Sequence, residues 1–423
     1  MDLRPLKIYS SEDTPRLRYI AGFILTDILG LQIEITTDKR KLGKHQVINY
    51  SYENIKGSLK ISPDSLLFEK EIAAREVKVS HWKGLPVFFS TSTESDMPFD
   101  IFAASFFLIT RYEEYLDYQP DKFGRFRASS SLAFKNGFLQ IPVVDMWIKE
   151  LARVLLGKFN MLAFRRNEYK ALLTIDADQP LAYTGISLVR SLGGLLRDRL
   201  KIEGSAEKDP YEVFDYIIEC LGLDTNIRFF FPVGDHSQYD KNPSWKNNEY
   251  RKLIKNIADK FDTGLHPSFY AAEKLAVIRK EMTRLSTILG KQISSGRFHY
   301  IRLQIPQSYR YVNEAGIPED FSMGYPDEPG FRAGIARPYY FYDVAEDRET
   351  SLKIIPFQIT DETLDNKHLD SAASNQLILK LINETRKVGG LFVSIWHNTL
   401  LLDNQECKGW REVFEFTIKN QVP

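Results

Sequence analysis

Residues 171–178 read Ala-Leu-Leu-Thr-Ile-Asp-Ala-Asp, and the fold is interpreted outward from this stretch. A short apolar run that ends in polar residues predicts a buried strand. On an extended backbone residues i and i+2 share a face, so we expect Asp176 and Asp178 to point into the same space. Adjacent carboxylates repel each other unless a cation or a shared proton lies between them. The pair therefore indicates a metal site or, as the alternative, a turn-capping Asp178 beside a solvated Asp176.

Beyond Arg165, short apolar strands alternate with longer helical patterns, which is typical of repeated β-α units around a parallel sheet. About seven strands suit a barrel better than a small doubly wound domain. We therefore predict an α/β fold with a deformed (β/α) barrel over residues 166–423. The predicted strands are Ala171–Ile175, Arg228–Val233, Thr263–His266, Phe298–Gln304, Ile354–Ile359 and Leu391–His397, with a weaker one at Phe321–Met323.

Residues 1–165 differ in pattern and predict a smaller mixed α/β domain of unknown role. The domain boundary is placed near residue 165. The predicted elements are strands at Val47–Tyr50, Leu59–Ile61 and Val87–Ser90, a helix over Pro98–Tyr118 and a second helix after Pro142.

Composition excludes several classes of protein. The chain has 423 residues with 56 basic and 56 acidic side chains, so the basic excess typical of nucleic-acid binding is absent. The sequence contains no run of about 18 apolar residues, so no membrane span is predicted. The two cysteines, Cys220 and Cys407, cannot form a disulfide framework or a thiolate metal site. Met1–Asp13 lacks the apolar region of a signal peptide, so we expect a cytoplasmic protein.

One segment leaves a peripheral membrane contact open. Ser187–Lys201 has leucines at helical spacing with arginines and a lysine among them. A membrane-surface helix is one interpretation. The alternative is an ordinary packing helix with a solvated basic face.

Three histidines lie at or within predicted strands of the barrel. His266 ends one strand, His299 lies inside another, and His397 closes the last one. An isolated histidine at such a position is more often structural. Three of them together with an aspartate pair favour a catalytic site at the C-terminal strand ends, where barrel enzymes place their reactive groups.

Taken in order, these motifs resemble those of the polysaccharide deacetylase superfamily, the NodB-like carbohydrate esterases, over about residues 168–423. Thr174–Asp178 is similar to the T-F-D-D motif, and His266–Ser268 is similar to the start of H-[ST]-x-x-H. Arg302–Pro306 occupies the place of the Arg-Pro motif, and Ile395–His397 matches L-x-H. The whole chain also resembles a Bacteroidetes-type branch that carries an uncharacterised N-terminal domain.

The resemblance implies a metal-dependent hydrolase that removes the N-acetyl group of a sugar or glycan precursor. It implies a divalent cation as cofactor, zinc first among the first-row metals. Asp176 would be the general base, Asp178 and His266 would be metal ligands, and His397 would be the general acid. Arg302 would orient the base, with Arg297 as the other candidate.

The chain departs from the family pattern at two positions. Ala177 occupies the second acidic position of T-F-D-D, so the carboxylate ligand would be Asp178. Tyr270 occupies the place of the second histidine of H-[ST]-x-x-H. Because catalytic zinc sites usually have three protein ligands, we expect His299 to supply the missing imidazole.

Two functions from other classes remain open. The fold could serve a catalytically silent carbohydrate-binding or scaffolding protein, or a hydrolase of another C–N amide bond. For an enzyme, predicted substrate contacts are Tyr270, Arg297, Arg332 and Trp396, and the alternative for the aromatic residues is core packing.

Overall fold

The computed structural model describes residues 5–44, 46–91, 93–159, 162–180, 212–221, 226–403 and 407–422. Its two main sheets are built from mostly parallel strands with helices around them, so the protein is a mixed α/β protein. Among the described residues, no helix is both long and apolar enough to cross a membrane. The predicted helix Ser187–Lys201 lies outside the described residues.

The N-terminal part contains a four-stranded parallel sheet in the order β2-β1-β3-β4 and a separate antiparallel hairpin, β5-β6. Its strands are β1 Leu6–Ser10, β2 Ile33–Thr36, β3 Val47–Tyr50, β4 Leu59–Lys60, β5 Ser80–Trp82 and β6 Leu85–Val87. Its α-helices are α1 Pro15–Ala21, which continues as a π-helix over Gly22–Ile28, α2 Ile101–Ile109, α3 Leu132–Lys135 and α4 Val143–Lys158.

The predicted helix Pro98–Tyr118 is shorter in the structure. Asp100 caps its start by accepting from the backbone N–H groups of Phe102 and Ala103, each at 3.0 Å. The α-helical part ends before Arg111, whose φ of 56° is left-handed, and only a 3₁₀ turn follows.

Among the described residues the second sheet has nine strands in the order β12-β13-β11-β10-β9-β8-β7-β15-β14, and only β12 runs antiparallel to its neighbour. Its strands are β7 Lys170–Asp176, β8 Ile227–Phe231, β9 Asp262–Leu265, β10 Ser295–Gly296, β11 Glu319–Asp320, β12 Tyr339–Asp343, β13 Arg348–Ile354, β14 Ile359–Thr360 and β15 Leu391–His397. The helices of this part are α5 Glu212–Cys220, α6 Asn248–Ala258, α7 Leu275–Leu289, α8 Gln307–Ala315, α9 Asp361–Asn366, α10 Ser371–Val388 and α11 Trp410–Gln421.

This sheet curls so that one of its faces encloses an apolar interior. Leu172 of β7, Phe230 of β8 and Val393 of β15 form one buried cluster with Phe357, which follows β13. The backbone N–H of Phe357 donates to Met323 at 3.0 Å, and the next N–H, of Gln358, donates to Val393 at 3.0 Å. Within the described residues no strand pair joins the two sheet edges, so a closed barrel of about seven strands is not confirmed.

The alternation of side chains along β7 and β15 positions the polar groups. Leu172 faces the enclosed interior, whereas Leu173 and Ile175 belong to the outer core between sheet and helices. Asp176 shares the inner face with Leu172 because side chains alternate with a period of two. In the parallel ladder His397 lies directly opposite Asp176, which brings the ends of the first and last strands of β-α units together.

The second sheet differs from the predicted strands in several places, and of Ile354–Ile359 only the two end residues lie in strands. Phe298–Gln304 is not a strand, because the extended backbone ends at β10 and a 3₁₀ turn follows in which Tyr300 and Ile301 have positive φ. The hairpin of β12 and β13 was not predicted, because β13 is largely polar and lies near the sheet edge.

Candidate active site and metal centre

A pocket of about 250 Å³ opens at the C-terminal ends of β7, β9 and β15. Five of the residues singled out from the sequence line it: Asp176, Asp178, His266, His299 and His397. They come from three strand ends and one turn of the second sheet. The carboxyl ends of parallel strands are where α/β enzymes bind their ligands.

His266 follows the last residue of β9, and its position is set by a backbone bond from its N–H to the carbonyl of Phe231 at 3.0 Å. Its Nδ1 lies 2.6 Å from the carbonyl oxygen of Arg297. Because a carbonyl only accepts, Nδ1 carries a proton, and in the neutral ring Nε2 then presents a lone pair. That lone pair faces Asp178, whose Oδ1 lies 3.1 Å from Nε2.

Two of these facing atoms are buried without a hydrogen bond. Nε2 of His266 and Oδ1 of Asp178 are both inaccessible to solvent and make no hydrogen bond. A lone pair and a carboxylate oxygen 3.1 Å apart repel each other unless a positive charge lies close to both. The residues present therefore fit a bound cation.

His299 completes a group of three ligand-capable side chains. Its Nε2 lies 3.4 Å from Oδ2 of Asp178, and its ring centroid is 5.0 Å from that of His266. The potential ligand atoms of the three residues all lie within 4.8 Å of one another. Two imidazoles and one carboxylate are the donor set of many catalytic zinc sites.

Asp240 holds His299 from the side away from Asp178. Its Oδ1 lies 2.9 Å from Nδ1 of His299 and accepts from the backbone N–H of Phe269 at 3.0 Å. A carboxylate on the far nitrogen of a ligand histidine fixes its tautomer and ring orientation. Burial lowers the pKa of His299, but Asp178 and Asp240 raise it to about 10, so positive charge between these two carboxylates is favoured.

Asp176 is paired with Arg297 and not with Arg302. Nη1 of Arg297 donates to Oδ1 of Asp176 at 2.8 Å, and both side chains are at most 1 % exposed. Nε of Arg297 donates to the carbonyl of Phe321 at 3.1 Å, which fixes the guanidinium. Arg297 is fully buried and is not among the residues that line the pocket, so its predicted substrate contact has no support here.

Arg302 belongs to a different set of contacts. Its Nε and Nη1 donate to the carbonyls of Phe123 and Phe269 at 2.9 and 3.0 Å, and Nη2 is paired with Glu273. A turn with positive φ at Tyr300 and Ile301 precedes Arg302. These contacts give no support to the predicted role of Arg302 in orienting Asp176, which stays a prediction.

His397 faces the pocket with its Nε2 3.8 Å from Oδ2 of Asp176. On its other side, Nδ1 lies 2.6 Å from Oδ1 of Asp361, and its backbone N–H donates to Oδ2 at 2.7 Å. Burial lowers the pKa of His397, but Glu362 and Asp361 raise it well above its ordinary value. The neighbouring carboxylates thus favour the protonated ring, whose Nε2 faces the pocket.

Two of the predicted substrate contacts lie away from the pocket. Trp396 is 1 % exposed and packs against Phe414, because it precedes His397 on β15 and so points to the opposite face. Arg332 is buried with its Nη2 2.6 Å from Glu114 of the N-terminal part. Both substrate contacts therefore stay predictions that the burial of these two side chains does not support. Tyr270 is 40 % exposed and lies beside the pocket.

Sequence analysis missed the carboxylates that orient the histidines. Asp240 lies in the loop after β8, and Asp361 begins α9 directly after the capping residue Thr360. The Thr-Asp-Glu sequence at 360–362 is recognisable as the start of a helix. Nothing in it indicates that Asp361 meets His397, since that contact depends on β14 pairing with β15.

The N-terminal part matches the model of one protein family, described as a family of unknown function (DUF7033), over residues 6–160. No curated protein matches the sequence.

Several solved structures are similar to part of the chain. One is described as a putative polysaccharide deacetylase from Mycobacterium smegmatis, with a TM-score of 0.39 and 16 % identity, covering 60 % of this chain and 86 % of that one. A polysaccharide deacetylase from Bacillus cereus has a TM-score of 0.30 and 13 % identity, covering 60 % and 87 %. A CE4 family pseudoenzyme from Bacillus anthracis has a TM-score of 0.32 and 11 % identity, covering 61 % and 62 %.

Proposed function

We propose that the protein is a metal-dependent deacetylase that hydrolyses the N-acetyl group of a sugar or glycan precursor. One observation carries the proposal: the ligand triad lines one pocket together with Asp176, which is paired with buried Arg297, and His397, which is paired with Asp361. Hydrolysis of an amide needs these three functions, which are an electrophilic centre, a base for water and an acid for the leaving amine.

Asp178, His266 and His299 would hold the cation. When bound there, a divalent cation supplies Lewis acidity to a carbonyl oxygen and lowers the pKa of a water. The donor set favours zinc or a neighbouring first-row metal over magnesium or calcium, because two of its three atoms are imidazole nitrogens.

Asp176 would accept the proton of the attacking water. Its Oδ2 lies 3.9 Å from Nε2 of His266 and therefore beside the ligand triad, while Arg297 holds Oδ1. The buried guanidinium keeps the carboxylate in one orientation and stabilises its charge. General-base assistance of this kind is typically worth ~10²–10⁴-fold in rate.

His397 would protonate the leaving nitrogen. Asp361 fixes the ring through Nδ1 and leaves Nε2 directed into the pocket. Base and acid thus lie on neighbouring strands, with Nε2 of His397 3.8 Å from Oδ2 of Asp176. This separation lets one group remove a proton while the other delivers one to the same bond.

The acetylated sugar is proposed from the order of motifs that resembles the NodB-like esterases. The same resemblance supports the proposed C-terminal deacetylase domain, residues 166–423, and the Bacteroidetes-type branch. We also propose a cytoplasmic precursor as substrate. Residues 1–165 are the proposed second domain.

An acetate-release assay tests this function. Protein stripped with a chelator and reloaded with Zn²⁺, Co²⁺ or Mn²⁺ should release acetate from N-acetylglucosamine oligomers, and the chelated protein should not. The matched control is Asp176→Asn loaded with the same metal. The wild-type protein loaded with metal is also tested on a panel of N-acetylated amino sugars, free and as nucleotide sugars. Failure to release acetate from any of them would contradict the proposal.

A binding-only protein is the second candidate, and the salt-bridged state of the triad favours it. His299 lies between Asp178 and Asp240, so a protonated ring satisfies both carboxylates without any cation. Such a protein would bind the sugar with a similar affinity with and without metal. Equal sugar binding by the chelated and Zn²⁺-loaded protein, with no acetate released, would select this candidate.

A further inference from the structure

The turn that carries His299 has an unfavourable backbone conformation. Tyr300 and Ile301 follow His299 with φ of 61° and 49°, and neither is glycine. Positive φ is rare for side chains with a Cβ and is a clear outlier for a β-branched residue such as Ile301. Conformations of this kind persist only where surrounding contacts impose them. The contacts that hold this turn therefore decide where His299 points.

Some of those contacts come from the N-terminal part of the chain. Nη1 of Arg125 donates to the carbonyl oxygen of Tyr300 at 2.5 Å. Arg125 is itself fixed, because Oδ2 of Asp121 accepts from its Nε at 2.7 Å and Oδ1 accepts from its backbone N–H at 2.9 Å. The guanidinium also lines the pocket.

Further contacts join the same two segments. Nε of Arg302 donates to the carbonyl of Phe123 at 2.9 Å, and Nε2 of Gln304 lies 3.4 Å from the carbonyl of Gly124. The ring of Phe123 lies 5.1 Å from that of Tyr300. Gly124 has φ of +81°, and a Cβ there would lie 3.0 Å from Nε2 of Gln304, so glycine allows this close approach.

We propose that residues 121–125 are part of the metal centre and that Arg125 is a positioning residue for His299. The segment lies inside the region that matches a family of unknown function, which gives that region a role in the site. The inference rests on the proposed function only through the ligand triad. Because Tyr270 stands where a second histidine is expected, the third ligand depends on the turn at His299 and so on this segment.

Zn²⁺ affinity measured on the full chain tests the inference. The variants are Arg125→Ala, His299→Ala and the double substitution, each titrated with Zn²⁺ in competition with a chromophoric chelator. Arg127→Ala is the matched control, since Arg127 is exposed, two residues away, and its Nη2 lies 3.4 Å from the carbonyl of Pro120. Thermal unfolding of the metal-free proteins is recorded alongside.

Residues that orient a metal ligand typically contribute 10–100-fold in affinity, so Arg125→Ala should bind Zn²⁺ at least about tenfold more weakly than wild type. Arg127→Ala should bind like wild type. The double variant should bind no more weakly than His299→Ala alone, because Arg125 acts through His299. That absence of additivity separates positioning from a general loss of structure.

Unchanged affinity in Arg125→Ala, or a further tenfold loss on adding it to His299→Ala, overturns the inference while leaving the proposed function intact. A wild-type chain that binds no Zn²⁺ overturns both. If Arg125→Ala does not fold, Arg125→Lys replaces it. Lysine keeps the charge but lacks the planar guanidinium that lets arginine contact Tyr300 and Asp121 at once. An intermediate loss of Zn²⁺ affinity is therefore expected, and wild-type affinity refutes the inference.

Discussion

Replacing Arg297 by methionine should destabilise the protein strongly, because it leaves Asp176 as a buried carboxylate without a hydrogen-bonded partner. Both side chains are at most 1 % exposed, and 2.8 Å separates the paired atoms. Removing one partner of a buried ion pair costs about 3–5 kcal/mol. The nearest imidazole nitrogens, of His397 and His266, are 3.8 and 3.9 Å from Oδ2, too far to replace the lost bond.

Methionine fills much of the arginine volume, so the loss reports the charge more than a cavity. In the double variant Asp176→Asn/Arg297→Met both members of the pair are uncharged. Its free energy of unfolding should therefore be about 2–3 kcal/mol higher than that of Arg297→Met. Urea unfolding of the chelated proteins, followed by far-UV circular dichroism, measures these differences. The matched control is Arg302→Met, which should show no coupling to Asp176→Asn.

The reasoning is refuted if the free energy of unfolding of Arg297→Met lies within about 1 kcal/mol of the wild-type value, which is the contribution of an ordinary exposed ion pair. Coupling of Asp176 to Arg302 instead of Arg297 would reverse the assignment of the two arginines.

Three further predictions concern the pocket and its surroundings. Asp178→Asn should lose bound Zn²⁺ in metal analysis, whereas Asp176→Asn should retain the metal and lose acetate release; the reverse pattern would exchange their roles. His397→Ala should lower kcat by ~10²–10⁴-fold with metal content unchanged, and metal loss would instead make His397 a ligand. Burial raises the pKa of Glu281 to about 7, so the folded state holds this proton more tightly and unfolding free energy falls as the pH rises from about 4 to 7. Glu281→Gln removes that dependence, so the variant should gain about 3 kcal/mol over wild type across this range in urea unfolding. A constant difference between pH 4 and 7 would refute the assignment.

The sequence predicted the strands that carry the site because their residues are short apolar runs bounded by polar groups. The predicted strands at 171–175, 228–233, 263–266 and 391–397 are confirmed by β7, β8, β9 and β15. The i, i+2 rule placed Asp176 on the inner face, and the pairing of β15 with β7 set His397 opposite it. The same alternation places Trp396 on the opposite face from His397, and the predicted substrate contact of Trp396 did not take this into account.

What the sequence did not predict depends on contacts between distant segments. Arg297 and Arg302 lie on either side of a left-handed turn, and local propensity does not predict successive positive φ values at tyrosine and isoleucine. Asp240 and Asp361 reach their histidines only after β8, β14 and β15 have paired. Arg125 precedes Tyr300 by 175 positions, and no local sequence pattern indicates that it contacts the turn at His299.

The metal triad is the central claim, and an anomalous difference map tests it most directly. Crystals grown with equimolar Zn²⁺ and measured on both sides of the zinc absorption edge would locate the ion. The account predicts one strong peak within bonding distance of Asp178, His266 and His299, about 2.0–2.2 Å from each ligand atom. Asp178 also lies near Glu362 and His397, whose ligand-capable atoms are within 4.8 Å of one another. A peak on that second group, or no peak in the pocket at all, would contradict the account.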